Sequence, residues 1–219
     1  MQRIVPAILS SSKQEFRLLL DQAKAMTDYV QIDIMDGTLT GTNSLLPREF
    51  FHEDFGEIQF EAHIMANKAS TTDLIHSLKS FPHCRRIIVH REAATTLEEL
   101  RQFLNQIRDV GKESGVALNP ETDIREIGKV VKKIDTVLFM GVNPGQYGAE
   151  FQPQVMEKVQ QFRERYTMAG CEIAWDGGVT QENIPQLIQA GVESIAVGSA
   201  IFRASDPQQA YQSFVDLLA

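Results

Sequence analysis

Eight short strand-like segments alternate with helical periodicities along the chain and predict one (β/α)₈ barrel domain over residues 1–219. Parallel strands joined by right-handed helical crossovers close most naturally at that count. Polar residues support the same reading, because three of the segments carry an acidic or imidazole group at the C-terminal end, where such barrels build their sites. A third observation is negative: no G-x-G-x-x-G opens the first strand-to-helix turn, which argues against the doubly wound open sheet, the structural runner-up.

Residues 4–9 read as the first strand, with Pro6 tolerable near a strand start or where no ladder donor is required. Residues 10–12 offer a serine N-cap, and Phe16, Leu19, Leu20, Ala23 and Met26 recur at helical spacing. The second strand, Y-V-Q-I-D-I-M-D-G at 29–37, alternates with period two. It puts Val30, Ile32 and Ile34 on one face and Gln31, Asp33 and Met35 on the other. Residues 38–57 are polar and irregular apart from a short helical signal at 47–51, and as the longest loop candidate they are expected to cover the site. The third strand, Q-F-E-A-H-I-M at 59–65, divides Phe60, Ala62 and Ile64 from Glu61, His63 and Met65.

A helix through Leu74, Ile75, Leu78 and Phe81 leads to a fourth strand at 86–90. Leu97, Leu100, Leu104, Ile107 and Gly111 mark the stripe of a long helix before a short fifth strand at 116–118 that Asn119-Pro120 closes. Ile124, Ile127, Val130, Val131 and Ile134 predict a further helical face, and 136–140 a sixth strand. The glycine-punctuated loop 141–148 precedes a helix carrying Val155, Val159, Phe162 and Tyr166. The seventh strand ends at Asp176 before two glycines, and Thr180 is expected to cap a helix through Ile184, Leu187 and Ile188. Residues 194–197 form the eighth strand, and a helix through Ala210, Phe214, Leu217 and Leu218 completes the chain.

In such a barrel Asp33, His63 and Asp176 converge from strands two, three and seven. A carboxylate in a strand of β-branched neighbours requires a partner or a metal. Each residue alone could be a satisfied core polar group, but three in one phase at one strand end point to a site. Two carboxylates and an imidazole suit a divalent cation such as zinc, iron or manganese. They equally suit an acid/base pair that removes and returns a proton on opposite faces of one carbon. Gly177 and Gly178 after strand seven, Gly198 and Ser199 after strand eight, and Gly145 to Gly148 after strand six offer backbone N–H groups to an anion. Met35, Met65 and Met140 end strands two, three and six on the inward faces, where they would wall the site or fill core. His90 is a further polar residue at a strand end, whereas His52, His76 and His83 read as surface or loop residues.

Composition bounds the partners. A net charge of -8 and a pI near 5.2 argue against nucleic acid or an anionic membrane. Cys84 and Cys171 stand far apart without metal-ligand spacing, and no apolar run approaches membrane-spanning length. A soluble, cytoplasmic protein that assembles as a homo-oligomer is expected, with no signal peptide at its N-terminus.

The motifs P-A-I-L (6–9), D-I-M-D-G (33–37), H-I-M (63–65), L-N-P-E-T (118–122), M-G-V-N-P-G (140–145), D-G-G (176–178) and V-G-S-A-I-F (197–202) occur in an order and spacing that resembles the ribulose-phosphate 3-epimerase family over essentially the full length. The resemblance implies a TIM barrel of the ribulose-phosphate-binding type that interconverts D-ribulose 5-phosphate and D-xylulose 5-phosphate by moving a proton at C3. It implies Asp33 and Asp176 as the acid/base pair and, with His63, as metal ligands. Gly177, Gly178, Gly198 and Ser199 would hold the phosphate, and the three methionines would line the site. Three positions depart from the family pattern: Gln31 stands where the family has a histidine ligand, Ala7 where it has a serine, and T-L-T-G-T-N follows Gly37 in place of an H-F-V-P-N-type continuation. An amide oxygen is a weaker ligand than imidazole for zinc or iron, so a weakened metal site is expected. Two rival readings follow from these departures: the same chemistry on a six-carbon phosphoketose, and a sugar-phosphate-binding barrel without turnover.

Overall fold

The computed structural model describes residues 2–145 and 151–218. Strands β1 (Arg3–Ile8), β2 (Tyr29–Met35), β3 (Gln59–Met65), β4 (Cys84–His90), β5 (Glu113–Leu118), β6 (Thr136–Met140), β7 (Glu172–Asp176) and β8 (Ser194–Val197) pair in parallel in chain order. β8 returns to β1 and closes the barrel. The helices are α1 (Lys13–Lys24), α2 (Pro47–Phe50), α3 (Lys68–Ser77), α4 (Leu97–Asp109), α5 (Gln154–Arg165), α6 (Ile184–Ala190), α7 (Ser199–Phe202) and α8 (Pro207–Asp216).

The period-two pattern decides which side chains enter the barrel. Val30, Ile32, Ile34, Phe60, Ala62 and Ile64 join helix residues such as Phe16, Leu20 and Ile75 in the outer core. Ile88, Ala117, Leu138, Met140 and Ala174 form a separate cluster among inward-facing positions. Local chemistry starts the helices where the sequence places them. Ser12 accepts from the Glu15 N–H to cap α1, and Thr96 with Glu99 forms a reciprocal capping box on α4. The segment after β2 is anchored by aromatic packing: Phe50 stacks on Phe16 at 4.9 Å, and Phe55 on Phe60 at 5.3 Å.

Two local expectations are corrected. Ile124, Ile127, Val130, Val131 and Ile134 are buried, but they sit on and around two 3-10 turns, Ile124–Ile127 and Val131–Lys133, and not on one helix. Gly128 lies between the turns, so close to Tyr166 that a Cβ there would stand 2.5 Å from the phenol oxygen, and the β-branched residues beyond it further disfavour helix. Thr180 does not cap α6; its N–H donates to Oδ1 of Asn183, the residue that precedes the helix.

The N-terminal end of the barrel is crossed by charge. Arg86, buried on β4, donates to Glu61 (3.1 Å), Glu113 (3.0 Å) and Glu172 (2.5 Å), while Arg3 pairs with Glu172 at 3.1 Å and Tyr29 donates to Glu61 at 3.1 Å. Glu61 is only 1% exposed, so its charge depends on these donors. Replacing the guanidinium with a hydrocarbon strands that carboxylate: Arg86→Leu is expected to cost about 3–5 kcal/mol, the range for breaking one side of a buried ion pair. Thermal and urea unfolding check it, and a variant within a few tenths of a kcal/mol of the parent would show that the network carries no net stability.

Candidate functional site

The register brings the sequence-predicted residues to one level at the C-terminal end of the barrel. Asp33 lies opposite His63, Met35 opposite Met65, Ala7 opposite Gln31, and Asp176 stands between Met140 and Ala196. Above them opens a cavity of about 650 Å³, whose wall includes Asp33, Asp176, the three methionines, Gly145, Gly177, Gly178, Gly198 and Ser199. Gly148 lies outside the described residues. His63 is fully buried and does not line the cavity, and it lies behind the carboxylates.

Gln31 is the centre of the polar cluster. Its Nε2 donates to Oδ1 of Asp33 at 2.9 Å and to Oδ2 of Asp176 at 2.7 Å. Nδ1 of His63 reaches the same two oxygens, at 3.0 and 3.3 Å. Burial, then the neighbouring charge of Asp176, raises the Asp33 carboxyl above its usual range. Burial alone would lower His63, but its hydrogen bonds to Asp176 and Asp33 hold it up at about 9. The pair is thus poised with one carboxyl more easily protonated than an ordinary aspartate and a cation beneath both.

Sequence reasoning treats His90 as one polar residue among several and does not single out Glu92; the structure joins both to the cluster. Nε2 of His90 lies 2.9 Å from Nε2 of His63, and Nδ1 of His90 lies 3.1 Å from Glu92. Burial lowers His90, while Glu92 falls to about 2 because its bonds to His90, to the Thr122 hydroxyl and to the Asn119 N–H outweigh its burial. Ser44 also escapes sequence reasoning: it accepts from the Met35 N–H (2.9 Å) and donates to the Asp33 carbonyl (2.7 Å), pinning the end of β2. Of the long loop expected over the site, the part that meets the mouth is near Thr42, whose hydroxyl donates to the Gly145 carbonyl at 3.0 Å.

The loop after β7 takes a shape open to glycine. Gly177 and Gly178 have φ of +102° and +66°, and a Cβ at Gly177 would lie 2.5 Å from Val142. Asn183 fastens this loop by donating to the Gly178 carbonyl at 2.8 Å. Gly198 precedes α7 and approaches the Ala7 carbonyl so that an added Cβ would stand 3.2 Å away.

The donor set fits a divalent cation. Ligand atoms of Asp33, His63 and Asp176 lie within 4.8 Å of one another, and the buried Oε1 of Gln31 has no hydrogen-bond partner, so the amide brings a fourth donor atom, an unused oxygen, to the same cluster. No helix among the described residues is long and apolar enough to cross a membrane.

The family model for the Ribulose-phosphate 3 epimerase family matches residues 3–202. The chain is 31% identical over 220 residues to ribulose-phosphate 3-epimerase of Escherichia coli (strain K12), covering 97% of this chain and 92% of that protein. It is 31% identical over 216 residues to the chloroplastic ribulose-5-phosphate-3-epimerase of Arabidopsis thaliana, covering 94% of this chain and 74% of that protein. Among solved structures, 3-hexulose-6-phosphate synthase from Salmonella typhimurium superposes with a TM-score of 0.72 at 14% identity, covering 100% of this chain and 98% of that chain. Orotidine 5'-phosphate decarboxylase from Pyrococcus horikoshii superposes at 0.66 and 17% identity, covering 99% of each chain. At those identities the structural matches speak to the barrel alone.

The position of Gln31 generates a measurable expectation. Because its amide faces both carboxylates, a cation must displace two hydrogen bonds and gains only an amide oxygen, whereas an imidazole supplies the nitrogen that zinc prefers. Gln31→His is expected to tighten zinc binding on the order of tenfold or more, read by calorimetric titration of metal-stripped protein. Equal affinities in the two proteins would show that residue 31 does not limit the site.

Proposed function

Because this chain belongs to the ribulose-phosphate 3-epimerase family, we propose that it interconverts D-ribulose 5-phosphate and D-xylulose 5-phosphate through Asp33 and Asp176. The observation that carries the residue assignment is the shared amide: one Gln31 nitrogen holds the two carboxylates side by side at the floor of the cavity. Epimerisation at C3 needs a base for the proton on one face of the carbon and an acid for the other. A carboxyl with a raised affinity for protons beside a second carboxylate meets that need in both directions, since whichever group has taken a proton serves as the acid of the reverse reaction.

As the C3 proton leaves, negative charge collects on the C2 oxygen and must be stabilised. A divalent ion held by Asp33, His63 and Asp176, with the free Gln31 oxygen adjacent, would supply positive charge there, and zinc, iron and manganese all suit such a set. The chain's own residues hold the rest of the substrate. Met35, Met65 and Met140 offer an adaptable apolar wall around the sugar carbons. The loops at Gly177, Gly178, Gly198 and Ser199, with Gly145 across the mouth, are the groups we assign to the phosphate, because a side chain at the left-handed glycines would be strained and the approach stays open to an anion.

Asp33→Asn and Asp176→Asn are each expected to lower turnover by ~10²–10⁴-fold, the usual worth of a proton-transfer group, while melting close to the parent. A coupled assay of pentulose-phosphate interconversion reads the effect, and near-parental turnover in either variant would remove that residue from the acid/base role.

Inorganic phosphate and sulfate are expected to compete with substrate, and Gly198→Val to raise KM about tenfold or more, a loss of roughly 1.4 kcal/mol of binding. Equal use of the unphosphorylated ketopentose and its phosphate ester would sink the assignment of the glycine loops.

A further inference from the structure

Beneath the two aspartates runs a chain of hydrogen bonds that the acid/base assignment leaves unused. From the cavity floor it passes through His63 to His90 at 2.9 Å, from His90 to Glu92 at 3.1 Å, and from Glu92 to the Asn119 N–H at 3.0 Å and the Thr122 hydroxyl. Both imidazoles are fully buried, so no solvent intervenes to relax the donor and acceptor roles.

We propose that Glu92 is a positioning residue that fixes the tautomers of His90 and His63, and so leaves Nδ1 as the nitrogen His63 offers to a divalent cation between Asp33 and Asp176.

The roles propagate from a group with no choice. The Asn119 N–H can only donate, so Oε1 of Glu92 accepts from it. Oε2 of an ionised carboxylate also only accepts, so the facing Nδ1 of His90 carries a proton. Of two buried rings 2.9 Å apart only one holds a charge readily, and His63 faces two carboxylates where His90 faces one, so His90 stays neutral and its Nε2 keeps a lone pair. Two bare nitrogens cannot face each other profitably across 2.9 Å, so the proton between the rings belongs to Nε2 of His63. Nδ1 of His63 is then the atom turned to both carboxylates, free to shed its own proton when a cation arrives.

An amide at position 92 breaks this logic. In Glu92→Gln the amide oxygen is claimed by the Asn119 N–H, so the amide nitrogen faces His90 and moves its proton to Nε2. His63 must then accept at its own Nε2, and its proton sits on Nδ1, where it blocks the cation. Keeping His63 on a metal would instead turn the amide over and set an NH₂ against the Asn119 N–H.

The inference rests on the metal reading of His63, and the experiment separates the two. Nitrogen-15 spectra of the histidine rings in the full-length protein, with and without zinc, should show His90 protonated on Nδ1 alone. Glu92→Gln should move that proton to Nε2 and weaken zinc binding by calorimetry ~10–100-fold, whereas Glu92→Asp, which retains two acceptors, should restore the Nδ1 proton. Parental His90 protonated on Nε2 overturns the proposal, whether or not Glu92→Gln folds, as does a folded Glu92→Gln with unchanged tautomers and affinity. A parent with the expected tautomers that binds no zinc supports the tautomer relay and counts against the metal assignment alone.

Discussion

Two carboxylates can stand side by side in a barrel floor only if donors are set between them, and most of the site follows from that constraint. Asp33 and Asp176 arrive from β2 and β7, strands that are not neighbours, and their charges oppose each other in a buried setting where repulsion is poorly screened. Gln31 and His63 answer this with three N–H bonds within 3.0 Å and a fourth contact at 3.3 Å, all on the same two oxygens. Those oxygens are the ones a cation would take. The amide and the cation are therefore alternatives at one place, and replacing a histidine ligand with glutamine changes what holds the pair together as well as how many ligands a metal finds.

The barrel separates its two polar layers by chemistry. At the N-terminal end, Arg86 and Arg3 neutralise Glu61, Glu113 and Glu172 directly, and this network lies away from the cavity. At the C-terminal end the acids are matched by groups that can move protons or turn over, namely an amide and two imidazoles. Between the layers sit Ile88, Ala117, Leu138 and Ala174, a buried apolar cluster. A fixed ion network at one end and an adjustable one at the other is what a barrel needs if only one end is to react.

The loops around the mouth are positioned by bonds that long-range pairing alone makes available. Thr42 meets Gly145 across the barrel, Ser44 pins the strand end that carries Asp33, and Asn183 holds the Gly178 carbonyl. Lys158 on α5 donates to the carbonyls of Asn119, Pro120 and Thr122, so the turn that anchors Glu92 is itself fastened from the next helix. Rigid support at this distance sets the geometry of groups that never touch a substrate.

Period-two alternation was enough to place Asp33, His63, Asp176 and the three methionines on inward faces, because a strand's side chains must alternate whatever surrounds it. Eight such strands with helices between them made the barrel legible, and the motif spacing made the family legible. The helix expected at 124–134 failed because its apolar spacing is compatible with two tight turns, and nothing in that spacing records that Tyr166, far along the chain, packs against Gly128 between them. Glu92, Ser44 and Asn183 were invisible for the same reason: each is an ordinary polar residue in a loop or turn until a partner from another element meets it. The sequence by itself determined which residues face the barrel interior, since that depends on local backbone geometry. The tertiary structure alone decided that His63 lies behind the carboxylates and that Gln31 spans them, since those relations exist only once β2, β3 and β7 share a closed ring.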